Sequence, residues 1–242
     1  MKSKVTLLLA AAFLFVVPMA ANAGLTAYSQ NFEAMVQSDP GALTTDGWLV
    51  YGNVFSPDHS TWYYGYGSFP APNGTGAFCN VDLVAPATPG NGAQDMVVFS
   101  DYNNGGAHAA GQQVEANVFR EQIADAADDG TTWTFSFDAM MGNLEAPTTA
   151  AAFIKVLDPN QGWATTHFLT FDTTNIPASW ATHSLQITVD AAMVGTHVQY
   201  GFMNTASNYK GSGVFYDNIN WQNSSVTPAK PTTWGKLKSL YR

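Results

Sequence analysis

A chain of 242 residues with 18 acidic and nine basic side chains has a formal net charge of −9. The acidic residues all lie between Glu33 and Asp217, where Arg120, Lys155 and Lys210 are the basic residues, so this span carries a charge of −15. Such an acidic segment repels phosphate backbones, which argues against a nucleic-acid partner. The single cysteine excludes an intramolecular disulfide.

The first 23 residues predict an export signal. Lys2 and Lys4 precede an apolar stretch over 5–17, and Ala21-Asn22-Ala23 fits a small-residue cleavage site. The apolar stretch is shorter than the ~20 residues that cross a bilayer, so we expect no membrane span in the mature chain. The predicted mature protein begins at Gly24 and is secreted or periplasmic. An uncleaved N-terminal anchor is the alternative interpretation.

From Gly24 onward, apolar and polar residues alternate in short stretches. Trp133, Phe135 and Phe137 alternate with polar residues, and the same period of two recurs over 185–189 and 198–202. Proline, glycine and asparagine clusters separate these stretches. Roughly ten to twelve short strands at this spacing predict an all-β fold, a two-sheet antiparallel jelly-roll sandwich over residues 24–221. Single helical turns are expected over 124–128 and 190–194.

The C-terminal residues differ from the acidic domain in composition. Residues 222–232 contain two prolines and predict a linker, and residues 233–242 form a basic tail with Lys236, Lys238 and Arg242. Terminal segments are commonly disordered. Trp234 and the excess of basic residues keep a second interpretation open, in which the tail recognises a sorting or surface-attachment partner.

One acidic residue near the C-terminal end of the predicted domain is out of place. Ideal strand alternation puts Asp217 on the same face as Phe215, Ile219 and Trp221, which are apolar. A buried carboxylate is costly unless it is neutralised, hydrogen-bonded or bound to a metal. The sequence therefore predicts either a metal at Asp217 or backbone donors that satisfy it.

Three segments together resemble the jelly-roll carbohydrate-binding modules of secreted bacterial proteins, of the galactose-binding-like type. They are an early Phe-Glu followed by Gly-Trp (32–33 and 47–48), a central strand over 131–137, and a closing Val-Phe-Tyr-Asp-Asn-Ile (214–219). The resemblance implies a structural Ca²⁺ held by Glu33 and Asp217, with backbone carbonyls completing the six to eight oxygens that Ca²⁺ takes. Glu33 alternates with Phe32, so it faces solvent unless a bulge turns it inward.

The densest aromatic stretch follows residues 58 and 59. Tyr and Trp rings offer an apolar face with a polar edge, which suits the stacking of a sugar ring. Trp62, Tyr64 and Tyr66 are therefore the candidate platform. The candidate polar rim and a further candidate ring are Asp58, Asn53, Asn103 and Trp163. Core or loop packing of these rings is the alternative, since glycines interrupt the stretch.

Catalytic signals are weak. Glycoside hydrolysis needs two carboxylates across a cleft, and Glu115 with Glu121, or Asp138 with Glu145, are the pairs that could be named. Histidines lack zinc-ligand spacing, and Cys79 is expected to be buried core. The acidic residues over 125–129 fail the spacing of calcium-binding loops and indicate a solvated turn.

These observations favour a secreted, noncatalytic module that binds an extracellular glycan and contains a structural Ca²⁺. The alternative is a structural or adhesive cell-surface protein without glycan binding. A polysaccharide hydrolase or lyase is a third and weaker alternative, which stays open because such enzymes gather their residues from distant strands.

Overall fold

The computed structural model describes residues 24–88 and 90–224, so the predicted export signal and the basic tail lie outside the described residues. Twelve strands, numbered β1 to β12, span Tyr28–Gln30, Leu49–Phe55, Trp62–Pro70, Cys79–Thr88, Gly92–Val98, Gln113–Ile123, Thr132–Met141, Thr149–Asp158, Ala164–Asp172, Ala181–Thr188, His197–Ala206 and Val214–Asn223. Two short helices, α1 and α2, span Ala42–Thr45 and Gly105–Ala109. No helix of the described residues is both long and apolar enough to cross a membrane.

The strands form two antiparallel sheets. Sheet 1 has the order β10-β7-β12-β5-β4, with β1 added alongside β12, and sheet 2 has the order β3-β2-β6-β11-β8-β9. The prediction of a two-sheet antiparallel jelly-roll sandwich is confirmed. The first and last strands pair, with Tyr28 opposite Trp221 and Gln30 opposite Ile219.

The two predicted helical turns had different outcomes. A 3-10 turn spans Ala191–Met193, where Asp190 accepts hydrogen bonds from the backbone N–H groups of Ala192 and Met193. The prediction over 124–128 was wrong, since that segment is a hydrogen-bonded turn. Asp128 holds it by accepting from the backbone N–H groups of Leu25 and Asp125 at 2.9 and 2.8 Å.

The core between the sheets is built from large aromatic rings. Trp221 stacks on Tyr200 of sheet 2, with 4.5 Å between ring centroids, and on Trp133 of its own sheet, with 5.2 Å. Phe202 stacks in the same way on Tyr216 at 3.6 Å. These rings are buried, and aromatic side chains supply a large share of core stability. Cys79 is also buried, as predicted, and burial raises the pKa of its thiol.

A bulge in β12 changes which of its residues face the core. The pairing of β12 with β7 shifts register between Asp217 and Asn220, and Asn218 has a left-handed backbone with φ of 47°. As a result Ile219 and Trp221 face the core, whereas Asp217 faces away from it. The prediction that Asp217 shares a face with Ile219 and Trp221 was therefore wrong, because ideal alternation does not survive the bulge.

The core stack gives a first test. We expect Trp221→Ala to lower the free energy of unfolding by about 3–5 kcal/mol, because the truncation removes a fully buried ring between two stacked partners. Urea denaturation measures this loss. Trp62→Ala is the matched control, since Trp62 is 56% exposed and its removal should change stability by less than about 1 kcal/mol. Equal losses in the two variants would contradict the assignment.

Candidate functional site

Four aspartates lie side by side across four strands of sheet 1. Asp82 is directly opposite Asp95 in the pairing of β4 with β5, and Asp217 is directly opposite Asp138 in the pairing of β12 with β7. The register of β5 on β12, which ends with Met96 opposite Tyr216, places Asp95 beside Asp217. We call these four residues the acidic row. They point away from the core, because each follows or precedes a core residue in its strand: Val81, Met96, Phe137 or Tyr216.

The two central members of the acidic row are buried without sufficient hydrogen bonds. Both carboxylate oxygens of Asp95 and the Oδ2 of Asp217 have no partner, although both residues are 0% exposed. Burial raises the pKa of Asp95 to about 8, and the carboxylates of Asp82, Asp217 and Glu33 add to the rise. Burial also raises the pKa of Asp217 to about 6. Like charges directly opposite each other destabilise a sheet, so this row requires protons or a cation.

No Lys or Arg side chain of the described domain compensates the acidic row, although the imidazole of His183 lies near its outer member Asp138. Arg120 lies 3.5 Å from Asp46, and Lys210 lies 3.4 Å from Glu145. Lys155 is on sheet 2, where it faces away from the acidic row. The outer member Asp138 is instead satisfied by neutral donors: the side chains of Asn91, Thr182 and Asn218.

Glu33 approaches the acidic row from a turn rather than from the first strand. The strand β1 ends at Gln30, and Phe32 has a left-handed backbone with φ of 59°, so the chain folds back and sends Glu33 towards β5. Its Oε1 accepts the backbone N–H groups of Ala93 and Gln94 at 2.8 and 2.7 Å. The turn thus brings Glu33 and Asp217 into one electrostatic environment.

The donor set has a clear chemical character. Among the described residues no three His, Cys, Asp or Glu side chains converge closely enough to form a metal cluster. The oxygens without partners belong to two buried carboxylates, and the charge of Glu33 adds to the rise in the pKa values of both. Hard oxygen ligands of this kind are the type that Ca²⁺ prefers. Asp95 was not among the residues predicted from the sequence.

The acidic row predicts a specific pH dependence in EDTA. An acid whose pKa is raised by folding favours the folded state while it is protonated, and this contribution is lost as the pH rises through about 6 to 8. We therefore expect Asp95→Asn to melt about 3–6 °C above the wild type at pH 9 in EDTA, equivalent to roughly 1–2 kcal/mol, and to match it near pH 4.

Thermal melts over this pH range provide the measurement. Asp129→Asn is the matched control, because Asp129 is an exposed acid in a turn and its removal should leave the pH profile unchanged. If Asp95→Asn and the wild type have superimposable melting profiles in EDTA, the charge of Asp95 does not destabilise the folded state, which contradicts the prediction.

The outer face of sheet 2 has a different shape and chemistry. Asn117, Phe119 and Phe153 point outward from its central strands, yet they are 1%, 2% and 0% exposed. At the two edge strands, Trp62 and Phe168 are 56% and 48% exposed. We call this face, which is buried at its centre and exposed at its two edges, the groove.

Hydrogen-bonded side chains run from one edge of the groove towards the other. The indole Nε1 of Trp62 donates to Asn53 Oδ1 at 3.1 Å, and Asn53 Nδ2 donates to Glu115 Oε1 at 2.9 Å. Asn117 Nδ2 donates to the same oxygen of Glu115 at 2.9 Å, and Lys155 Nζ donates to Asn117 Oδ1 at 3.4 Å. We call these five residues the polar chain. It extends from β3 to β8, four strand spacings or about 19 Å.

Lys155 is the last member of the polar chain, and its ammonium group lies over two aromatic rings. Its ammonium lies 4.9 Å from the ring centre of Phe153 and 5.2 Å from that of Phe168. Burial lowers the pKa of Lys155, and the carboxylate of Glu115 partly offsets this effect. Gly201 lies between Phe119 and Phe153 in the sheet, and a Cβ there would collide with the backbone and side chain of Phe119. The glycine therefore lets the floor of the groove close.

A second polar cluster lies beyond the polar chain, towards one end of sheet 2. Glu121 accepts from His197 Nδ1 at 2.8 Å and from Gln199 Nε2 at 2.7 Å. Trp163 packs edge-on against His197, with 4.9 Å between ring centroids, and is 55% exposed. Its left-handed backbone, with φ of 67°, is held by a hydrogen bond from its N–H to the carbonyl of Asp158.

The structure joins some of the predicted ligand-binding residues and separates others. Trp62 and Asn53 are hydrogen-bonded partners in the groove. Tyr64 and Tyr66 pair with Val54 and Gly52, so they point to the core side of β3 and do not form one platform with Trp62. The Tyr66 hydroxyl donates to Asp101 at 2.6 Å.

The remaining predicted rim residues lie outside the groove. The Oδ1 of Asp58 accepts from the hydroxyls of Ser56 and Ser60 within its own loop. These bonds lower the pKa of Asp58 to about 2. Asn103 is in the loop before α2, where its backbone N–H donates to Asp101 Oδ1 at 3.1 Å. The other polar residues of this face, Glu115, Asn117 and Lys155, were not among the predicted ligand-binding residues.

The carboxylate pairs considered for catalysis are not assembled. Glu115 and Glu121 lie on the same face of β6, six residues and therefore about 20 Å apart. Glycosidases place their two carboxylates about 5–9.5 Å apart. Asp138 belongs to the acidic row, whereas Glu145 pairs with Lys210.

No family model matches the chain, and no curated protein matches it. Solved structures of similar fold include the enzymatically active domain of tailspike protein 4 of bacteriophage CBA120, with 15% identity and a TM-score of 0.43 over 78% of this chain and 21% of that one. A Stig cyclase of Fischerella sp. TAU has 16% identity and a TM-score of 0.47 over 82% and 98% of the two chains. The CBM22-1 xylan-binding domain of Paenibacillus barcinonensis Xyn10C has 11% identity and a TM-score of 0.41 over 84% of this chain and 97% of that one.

These three partial matches are thus a phage enzyme domain, a cyclase and a carbohydrate-binding module. The chain spans about a fifth of the tailspike chain that it matches.

Proposed function

We propose that this chain is an exported, noncatalytic carbohydrate-binding module that holds a glycan in the groove. The observation that carries the proposal is the polar chain, which places amide, carboxylate and ammonium groups across the floor between two exposed aromatic edges. A glycan chain presents hydroxyls along its sides and apolar C–H faces on its rings. The amides and Glu115 suit the hydroxyls, and Trp62 suits a ring face.

The geometry of the groove supports an elongated ligand. The polar chain runs about 19 Å across the strands, which is longer than one sugar ring. Its groups are already hydrogen-bonded to one another, so the groove is preorganised and a ligand need not order it. The separation of Glu115 from Glu121 supports binding rather than hydrolysis.

Ca²⁺ is the second part of the proposal. Asp95 and Asp217 would be its carboxylate ligands, Glu33 would add negative charge from the neighbouring turn, and backbone carbonyls and water would complete the shell. When bound, the ion would neutralise the central pair of the acidic row, Asp95 and Asp217, and stabilise the junction between the turn at Glu33, β5 and β12. Its role would be structural, because the acidic row and the groove lie on opposite faces of the sandwich.

Export is proposed from the N-terminal sequence pattern, and it suits a ligand found outside the cell. The suggested sorting or attachment role of the basic tail stays a prediction, since the tail lies outside the described residues.

Affinity electrophoresis in gels containing single soluble polysaccharides tests the groove. We expect retardation by at least one neutral polysaccharide, with about tenfold weaker affinity for Trp62→Ala, a loss of about 1.4 kcal/mol. Asn53→Ala should weaken binding similarly, because it leaves Trp62 and Glu115 without their shared partner. Tyr209→Ala, which removes another exposed ring that does not belong to the polar chain, is the control.

Two outcomes would contradict the proposal. If no polysaccharide retards the protein, the groove is not a glycan site. That result would favour a structural or adhesive protein without glycan binding. If Tyr209→Ala abolishes retardation while Trp62→Ala has no effect, the glycan binds elsewhere.

The calcium proposal has a separate test. Ca²⁺ should raise the melting temperature of the wild type at pH 8, and Asp95→Asn should reduce that rise to a small fraction, because the variant removes an oxygen ligand of full charge. Asp129→Asn should keep the rise. An identical melting temperature of the wild type in Ca²⁺ and in EDTA would contradict the proposed Ca²⁺ site.

A further inference from the structure

Sheet 1 carries a second concavity on the face opposite the groove. This cleft has a volume of about 500 Å³. It is adjacent to the acidic row, because Asn80, Val97 and Phe215, which line it, are each two residues from a member of the row. Its floor contains Val97, Phe215 and Gly213. A Cβ at Gly213 would stand 2.6 Å from Asn143 Oδ1, so the glycine is what leaves the cleft open at that point. Pockets of ~300–1,000 Å³ are typical of small-ligand sites.

One wall of the cleft is aromatic. Phe99 and Tyr102 stack on each other, with 6.0 Å between ring centroids and an interplanar angle of 14°. The Tyr102 hydroxyl is fixed by hydrogen bonds to the carbonyl of Lys210 and to the Ser212 hydroxyl, both at 2.6 Å. The wall is therefore rigid, and the partly exposed ring of Phe215 gives the floor an apolar surface. These surfaces suit the flat, apolar face of a small ring.

The polar groups of the cleft are mainly acceptors. Asp82 lines it with a carboxylate whose Oδ1 accepts the backbone N–H of Leu83, and Asn80 lies beside it. Asn143 accepts the N–H of Gly213 through Oδ1. The described lining residues include no Lys or Arg, and Asp95 stands directly opposite Asp82. The cleft thus combines a flat apolar surface with an uncompensated negative charge, which favours a cationic ligand rich in hydroxyl donors.

We propose that this cleft binds a short sugar that carries a free amino group, of the glucosamine type. The ammonium would pair with Asp82, the hydroxyls would bond to Asn80 and Asn143, and the ring face would rest on the aromatic wall. The site is distinct from the groove in position and in ligand charge. It makes the module bivalent, with one carbohydrate site on each face of the sandwich.

Isothermal titration of the full chain with the dimer of glucosamine tests the proposal, in saturating Ca²⁺ and at a pH where the amine is protonated. We expect saturable binding that Asp82→Asn weakens at least tenfold. The N,N′-diacetylated dimer, which has the same rings without the charges, should also bind at least tenfold more weakly. Trp62→Ala should have no effect, because Trp62 lies on the other face.

A second variant guards against nonspecific attraction of a cation by an acidic protein. Asp129→Asn removes the same charge at an exposed turn and should leave the affinity unchanged, and Asp82→Asn should melt at or above the wild-type temperature because it relieves repulsion with Asp95. Absence of binding would overturn the proposal, as would equal affinity for the acetylated dimer. Loss of binding in Trp62→Ala but not in Asp82→Asn would place the amino sugar in the groove. Polysaccharide retardation by the groove is measured separately, so either site can fail alone.

Discussion

The bulge in β12 is the constraint on which the rest of sheet 1 depends. By adding a left-handed Asn218 to the last strand, it lets Tyr216, Ile219 and Trp221 all face the core. The same irregularity changes the partner of β12 from β5 to β1 along its length. Asp217 is left on the outer face beside Asp95. The closure of the sandwich and the electrostatic strain of the acidic row therefore have one structural origin.

The two outer faces of the sandwich differ in how far their buried polar side chains are hydrogen-bonded. On sheet 2, each group of the polar chain is hydrogen-bonded to the next, so the groove is rigid and nearly complete without a ligand. On sheet 1, both carboxylate oxygens of Asp95 and the Oδ2 of Asp217 have no donor. A satisfied network presents a binding surface, whereas an unsatisfied one requires a bound proton or cation. This contrast underlies the assignment of the glycan to the groove and of Ca²⁺ to the acidic row.

The sequence was sufficient for those features that depend on local pattern. Alternation in β7, β10 and β11 indicated half-buried strands, and their number and spacing indicated a sandwich. The Asp95 carboxylate could not be found in this way, because it is one polar residue in a short strand. Only the register of β5 on β12 brings it next to a residue more than a hundred positions later. No periodicity reports such a pairing.

The groove illustrates the same limit. Glu115, Asn117 and Lys155 alternate with apolar residues as solvated strand residues do, and the sequence did not show that β2, β6, β11 and β8 would be neighbours. Lys155 did carry a signal, as the one basic residue in a strand of apolar side chains. The aromatic cluster was correctly singled out but divided wrongly. Register irregularities in the pairing of β2 with β3 put Trp62 on the groove face and Tyr64 on the core side.

The most direct measurement is the ¹⁵N–¹H spectrum of the side-chain N–H groups during titration with an oligosaccharide. The oligosaccharide is a fragment of a polysaccharide that retards the protein in affinity electrophoresis. We expect the indole N–H of Trp62 and the amides of Asn53 and Asn117 to shift together with one saturation curve, since they belong to one hydrogen-bonded chain. The indoles of Trp133 and Trp221, buried in the core, should stay in place. Saturable shifts confined to residues of sheet 1, with the Trp62 indole unmoved, would contradict the assignment of the glycan to the groove.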